Sequence, residues 1–521
     1  MLNNPSLKIC LVNPPVLAVL EPWYDKPDFP RTALACLAAF IRDIEGVNIK
    51  VIDAKFDQLS FSACIDSILE FEPDIVGFTA FTNEIKPAAY LAYKLKETQP
   101  AIKTLIGGVH VTAIPEATLK EFPSFDMAVV GEGETPLKEI CEYYLNRGKT
   151  DLKEIKGLCF QKEEKYVTTG HALRILDLDQ LPMPAWDLFR PADRYFVQTL
   201  RGCPFNCQFC MNPNGQVARK RSVENVILEL NDIIDSYKPK HISFGDELFS
   251  VDMNRAHELL EAMIEHKIGE QVTWDVQTHV KFVDQEMFYK FKRAKVERVE
   301  IGVETGDAEI MKKMGKGISM KKIMEAYEFA KKADVPIGTF FIIGQPDESV
   351  SSINKTIDLA VKINPDLPMF GLMTPYPGTE VARLAAKGEG GYHLKTKDWD
   401  SYSKQLGGAL SFANLSKRQI EWLQIKAYVS VYLFNGRIID FLKMFWEYRT
   451  GAIELLKKFV SGRKELQQGS NKPKDYDSYF DNSKLLSLEG FINSREKWVE
   501  QQKNEIQRTR KEMPTLFKLG E

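Results

Sequence analysis

The sequence predicts an α/β protein built in series. A doubly wound, Rossmann- or flavodoxin-like parallel sheet is expected over 1–150, a linker with a hairpin over 151–194, six further β/α units over 195–385, and a helical region with a polar tail over 386–521. Three observations predict it. Five apolar, strand-like runs alternate with helical patterns in the first segment, the mark of a doubly wound sheet. Six more such runs recur, with helices between them, from Tyr195 to Met373. Beyond the Gly388–Gly391 joint the pattern turns helical and aromatic, and from Arg463 it turns polar.

Bulk properties set the class. The 521 residues imply two to four domains, and 44% hydrophobic with 27% charged residues is ordinary for a globular chain. A net charge of −3, with no helix-turn-helix, zinc-finger or basic-stripe pattern, argues against a nucleic-acid partner. No apolar run is long enough for a transmembrane segment, and Met1–Ser6 lacks the features of a signal peptide. Cys10, Cys36, Cys64, Cys141 and Cys159 are scattered and read as reduced and mostly buried, so a cytoplasmic location is expected.

In chain order, the strand runs of the first segment are Ile9–Val12, Val51-Ile52, Ile75–Phe78, Thr104–Ile106 and Met127–Val130. Helical patterns follow at 32–44, 62–71, 87–97, 115–121 and 135–145. Ligands of such sheets bind beyond the carboxyl ends of the strands. Those ends carry Asn13-Pro14-Pro15, Thr79 to Thr82, Gly107-Gly108-Val109-His110 and Gly131-Glu132-Gly133-Glu134. Glycine and hydroxyl groups there suit a large ligand approaching the backbone. Pattern alone leaves a nucleotide, a flavin or no ligand open, although neither G-x-G-x-x-G nor a P-loop is present.

Runs at 157–160 and 165–168 read as a hairpin, and the prolines of Leu181–Trp186 as an extended connector. The densest chemistry follows, in Arg201-Gly202-Cys203-Pro204-Phe205-Asn206-Cys207-Gln208-Phe209-Cys210. Three cysteines spaced C-x3-C-x2-C can aim three thiolates at one iron–sulfur cluster. A zinc site would want a fourth Cys or His, yet the next histidine is His241 and no second C-x2-C exists. Three ligands on a four-iron cluster leave one iron open for a small molecule.

This motif, with Phe209 at its aromatic position, resembles that of the radical S-adenosylmethionine (SAM) superfamily. The resemblance implies a [4Fe–4S] cluster on Cys203, Cys207 and Cys210 and a partial (β/α)6 barrel from the six β/α units. Further pieces match the family in order. Gly245-Asp246-Glu247 stands where the SAM ammonium is held, and Gly302 to Gly306 resembles the ribose and amino-acid contact with Glu304 as anchor. Gly338 to Glu348 resembles the strand lining the adenine, and Pro375 to Glu380 matches a common ending of the cobalamin branch. SAM contacts are thereby assigned to Phe209, Gly245, Asp246, Glu247, Gln277, Glu304 and Gly344. Two departures stand out: Thr278-His279-Val280-Lys281 where relatives often read Thr-Arg-x-Asp, and Gln345 in place of an apolar residue.

The strand ends of the first segment resemble the cobalamin-binding domain that precedes many radical SAM domains. The resemblance assigns cobalamin contacts to Asn13, Pro14, Thr79, Thr82, Gly107, Gly108, Val109, His110, Gly131, Glu132 and Gly133. The D-x-H-x-x-G motif that supplies a cobalt-ligating histidine is absent, so the lower face of the corrin is expected to carry no histidine, and His110 is expected in a loop.

A helical pattern then runs from Lys417 to about Phe459, broken at Asn435-Gly436, with an aromatic stripe that includes Tyr428, Tyr432, Trp446 and Tyr448. Such a stripe packs on a neighbouring domain or closes over an apolar substrate, with Trp446 as the pocket candidate. Glu489 to Arg510 reads as a polar helix or partly ordered tail. Taken together, the resemblance implies a cobalamin-dependent radical SAM enzyme, and first a C-methyltransferase acting at an unactivated carbon. Methylcobalamin would supply the methyl group and a 5′-deoxyadenosyl radical would abstract the hydrogen. A cyclase or rearrangement enzyme is the alternative. The implied partners are a small-molecule, lipid or peptide substrate and an electron donor such as flavodoxin or ferredoxin. No proton-transfer residue stands out, so the catalytic residue is left unassigned.

Overall fold

The computed structural model describes residues 6–17, 22–403, 408–447, 471–480 and 485–513. The first sheet contains β1 (Leu7–Asn13), β2 (Val47–Asp53), β3 (Ile75–Thr79), β4 (Lys103–Gly107), β5 (Met127–Val129), β6 (Leu158–Lys162) and β7 (Lys165–Thr168). Their order is β2-β1-β3-β4-β5-β6-β7, and β1 to β5 run parallel. All five residues of β3 are buried, which is why such strands read as unbroken apolar runs. The strand order reverses at β1, between β2 and β3, and a cleft opens there beyond the carboxyl ends.

The predicted helices appear with local causes. Helix Phe61–Phe71 starts at Ser60, whose hydroxyl accepts from the Ala63 N–H, and stops at Glu72, which turns left-handed at φ 52°. The hairpin expected within the linker region has a different role. Glu163 and Glu164, both left-handed, make its turn, and β6 pairs antiparallel with β5, so the hairpin extends the first sheet to seven strands. Pairing with β5 buries Leu158, Cys159 and Phe160. The connector after it is pinned too: Trp186 is fully buried and meets Tyr195 edge-on at 5.1 Å.

The second sheet holds β8 (Arg194–Val197), β11 (His241–Phe244), β12 (Thr273–Thr278), β13 (Arg298–Glu304), β14 (Ile337–Ile343) and β15 (Leu367–Leu372). All six are parallel, each beside its successor, as in an open (β/α) barrel. The short pair β9 (Leu200–Arg201) and β10 (Arg219–Lys220) lies between β8 and β11 in sequence and brackets the cysteine loop. Antiparallel β16 (Tyr392–Leu394) and β17 (Leu410–Phe412) follow.

Helices Lys417–Phe434 and Ile438–Glu447 break at Asn435-Gly436 as the sequence predicts; the continuation to Phe459, with Tyr448, lies outside the described residues. Tyr428 packs on the barrel, where its hydroxyl accepts from the Phe370 N–H at 3.1 Å. Trp446, the pocket candidate, is instead 69% exposed. The expected polar tail is a docked helix, Leu488–Glu512, that buries Phe491, Arg495, Trp498 and Gln502.

Candidate functional site

The cysteine loop is fixed by its backbone. Gly202 has φ +105°, and a Cβ there would meet the Val217 carbonyl at 2.3 Å, so only glycine fits. The Cys203 N–H donates to the Gly215 carbonyl at 2.9 Å, and the Asn212 side-chain amide donates to the Cys203 carbonyl at 2.6 Å. The Asn212 N–H reaches the Cys210 sulfur at 3.3 Å. Among the described residues none of the three sulfurs is in a disulfide; Cys207 is buried, Cys203 half-buried and Cys210 exposed. Among the described residues no three His, Cys, Asp or Glu side chains converge on one metal ion. A cubane asks for less convergence, since each cysteine binds a different iron.

Sequence reasoning missed the loop that presses against these cysteines. Gly315-Lys316-Gly317 has left-handed backbone at both glycines, and Cβ atoms there would meet the Asn206 carbonyl at 2.8 Å and the Phe205 ring at 3.1 Å. The visible signal was a lysine between two glycines, which reads as a plain turn. Lys316 donates to the Glu304 carboxylate, and it lies within electrostatic reach of Cys203 and Cys207. Glu304 sits at an irregularity of β13 with φ +68°, a costly conformation outside glycine that aims its side chain. His279, one of the two departures, stacks on Phe205 at 4.5 Å and contacts the Lys316 carbonyl through Nε2 at 3.0 Å. Burial, aided by Lys316, pulls its pKa down to about 3, so the ring is neutral.

The other expected SAM residues divide. Gly245 opens onto a cavity, Gln277 is exposed at the end of β12, and Phe209 is half-buried beside Met373. Gly344 is left-handed, and a Cβ there would meet the Phe412 ring at 2.7 Å. Glu247 accepts from the Gly202 N–H at 3.3 Å and from Asn214, which ties it to the cysteine loop. Asp246 is a correction. Its carboxylate is buried and engaged by the Thr199 N–H and hydroxyl, both at 2.6 Å, and by the Leu200 N–H at 3.1 Å, so it anchors the start of β9 and does not face a ligand. Burial raises its pKa to about 6 against those bonds. Gln345 is buried with neither amide atom partnered.

A cavity of about 580 Å³ lies where the carboxyl ends of the two sheets face each other. Asn13, Thr79, Gly107, Gly108, Val109, Gly131, Glu132 and Gly133 line it from the first sheet, as the sequence predicts for a bound group. Phe196, Gln198, Arg201 and Gly245 line it from the barrel. An apolar slot between the sheet and helices Thr32–Ile41 and Glu134–Tyr144 continues it inward past Leu11, Gly77, Leu105 and Leu137. Cys36 is also on the wall. Neither Pro14 nor Thr82 nor His110 is on it. His110 is buried against Trp399 at 4.9 Å, with Nδ1 at 3.3 Å from the Thr82 hydroxyl, and burial lowers its pKa to about 3. Its expected place in a loop at the bound group is thereby corrected: it lies in helix Val109–Ala113 and its ring points into the protein.

Two charged clusters escaped the sequence because their partners are remote in the chain. Glu84, fully buried, accepts from Lys55 at 2.8 Å, Tyr24 at 2.7 Å and Arg31 at 3.2 Å. Burial opposes its charge, yet the two cations hold its pKa down at about 2. Glu132 accepts from Arg219 at 3.0 Å, with Arg201 at 3.6 Å and Arg174 at 3.7 Å. Arg201 also donates to Glu134 at 2.7 Å. Glu132 therefore joins the first sheet to the barrel, a tie the sequence reading gave to the bound group.

The residues present fit the groups the sequence implies. Three thiolates on one rigid loop, with the cations Lys316 and Arg495 close by, suit an anionic cluster. Glycines at two strand ends of the first sheet, Gly107-Gly108 and Gly131 to Gly133, leave room for a wide, flat ring, and a Cβ at Gly108 would fall 2.5 Å from the Ala80 carbonyl. Asn13 Oδ1 is buried without a partner at the cavity wall, an acceptor suited to the amide side chains of a corrin.

The chain matches two known families: the Radical SAM superfamily over residues 197–360 and the B12 binding domain over residues 25–141. It is 33% identical over 437 residues to an uncharacterized methyltransferase of Pyrococcus horikoshii, covering 82% of this chain and 93% of that one. It is 26% identical over 365 residues to the anaerobic magnesium-protoporphyrin IX monomethyl ester cyclase of Cereibacter sphaeroides, covering 67% and 59%. Its fold is similar to that of the cobalamin-dependent S-adenosylmethionine radical enzyme OxsB with aqua-cobalamin and S-adenosylmethionine bound: TM-score 0.67, 17% identity, 98% of this chain and 81% of that one.

Proposed function

This chain belongs to the radical SAM enzymes that carry an N-terminal B12-binding domain, and from that premise we propose that it is a C-methyltransferase acting at an unactivated carbon. One observation carries the reading: a single cavity is walled by the strand ends of both sheets, so groups held by each half would meet there. When bound, the cluster supplies the electron that cleaves SAM and the corrin supplies the methyl group.

The chain's own part is to hold and to shield. Cys203, Cys207 and Cys210 would ligate the cluster. Lys316 and Glu304 would meet the charged end of SAM, with Glu247, Gln277, Gly245, Gly344 and Phe209 around it. Asn13, Thr79, Gly107, Gly108, Val109, Gly131 and Gly133 would meet the corrin. Phe29, Phe81 and Phe196 line the junction and, with both groups bound, would help keep water from it, which a radical step requires. A flavodoxin or ferredoxin would deliver the electron.

The relative named a methyltransferase supports methyl transfer, and the relatives named cyclases keep ring closure as the second reading. Product accounting separates them. Methylation consumes two SAM per product and releases one S-adenosylhomocysteine and one 5′-deoxyadenosine. Turnover that releases 5′-deoxyadenosine without S-adenosylhomocysteine would overturn the methyltransferase reading in favour of ring closure.

A further inference from the structure

Of the fifteen large hydrophobic side chains exposed among the described residues, nine lie between Trp422 and Trp446. They form stripes at helical spacing. Trp422, Ile425 and Leu433 share the outer face of helix Lys417–Phe434, whose inner face buries Leu423, Ala427 and Val431 against the barrel. Ile438, Leu442 and Phe445 share a face of the next helix at i, i+4 and i+7, with exposed Ile439 and Trp446 beside them.

The two helices are held, not loose. Arg437, in the turn between them, donates to the carbonyls of Pro365 and Asp366, each at 2.6 Å, and stacks over Tyr432 at 5.0 Å. An apolar surface of this extent on a rigid hairpin marks an interaction site.

Charge names the partner. Residues 417–446 contain five Lys or Arg against two Asp or Glu, in a chain whose net charge is −3. Exposed Arg418 and Lys443 accompany the stripes themselves. A second copy of the chain would set two basic segments against each other. An anionic lipid surface answers both features, taking the Trp, Phe and Leu side chains at headgroup depth and the cations at its phosphates. No described helix is long and apolar enough to cross a membrane, so the contact is with the surface. We propose that the helical hairpin at 417–446 docks this enzyme on an anionic membrane face.

Co-sedimentation of the full chain with vesicles tests it. The protein should pellet with equal parts phosphatidylglycerol and phosphatidylcholine, and much less with phosphatidylcholine alone. Ile439→Glu with Leu442→Glu should lower partitioning by at least about tenfold. Both positions are more than half exposed, so the variant should keep the wild-type melting temperature. Arg418→Glu with Lys443→Glu should weaken binding only to the anionic vesicles. A wild-type protein that stays in the supernatant, or an Ile439→Glu/Leu442→Glu variant that pellets unchanged, would overturn the proposal. So would a wild-type dimer in ultracentrifugation that this variant converts to monomer, since the face would then join two copies.

Discussion

A left-handed backbone at Glu304 and a glycine on each side of Lys316 bring two opposite charges into contact beside the cysteine loop. The sequence displayed Glu304 through its resemblance, but the lysine lies twelve residues on, and only the fold joins them. If the pair holds the charged end of SAM, Glu304→Gln should weaken SAM binding by about 1.5–3 kcal/mol, roughly ten- to a hundredfold. Lys316→Met should do the same, and the double variant should lose little more than either single one, because neither partner keeps its geometry alone. Anaerobic titration calorimetry reads all three; unchanged affinity in both single variants would mean that the pair only braces the loop. His110 carries a different prediction. Burial lowers its folded pKa from 6.5 to about 3, so the folded state takes up fewer protons than the unfolded one. Its contribution is full above the unfolded pKa and is lost as pH falls from about 6.5 toward 3, with a slope of up to about 1.4 kcal/mol per pH unit. His110→Asn should flatten that part of the urea-midpoint profile of the apoprotein. A profile parallel to wild type would show that the ring takes up its proton in place.

Among the elements, helix Leu488–Glu512 stands where a polar helix or tail was expected, but its docking was not. Phe491, Ser494, Arg495, Trp498 and Gln502 form its buried face, and only two of these are apolar, so hydrophobic periodicity does not show that this face is covered. It docks through polar bonds: Arg495 donates to Asn206 in the cysteine loop at 2.9 Å and to the Gly378 carbonyl at 3.3 Å, and the Gln216 N–H donates to Gln502 at 3.2 Å. Arg495→Met removes a buried guanidinium that touches that loop. Stability should fall by about 3 kcal/mol, and the reconstituted cluster should lose iron to a chelator several times faster. Iron release at the wild-type rate would confine the helix to a structural role. The strands of both sheets, by contrast, were legible as apolar runs, since parallel strands are buried on both faces. The attachment of the hairpin to β5 was not, because strand pairing is a tertiary choice that either edge of the first sheet could have offered.

For the whole molecule, the joint between the two sheets rests on Glu132 and the arginines around it. Glu132→Gln would leave those guanidiniums facing a neutral amide, a loss of roughly 3–5 kcal/mol for a buried pair. Calorimetry should then separate one transition into two, as the halves lose their tie; a single transition at the wild-type temperature would deny it that role. The cysteine spacing and the glycine-rich strand ends were readable because cofactor chemistry constrains them locally, whereas these ion pairs span up to 87 residues and leave no local mark.

The central claim is that one chain holds an iron–sulfur cluster on Cys203, Cys207 and Cys210 and a corrin on the separate strand ends of the first sheet. Metal analysis after anaerobic reconstitution tests it most directly. The wild-type protein should carry four irons and one cobalt per chain and, with reductant, cleave SAM to 5′-deoxyadenosine. Replacing the three cysteines with Ala should abolish both the iron and the cleavage while the cobalt stays bound. A triple variant that kept its four irons would contradict the account.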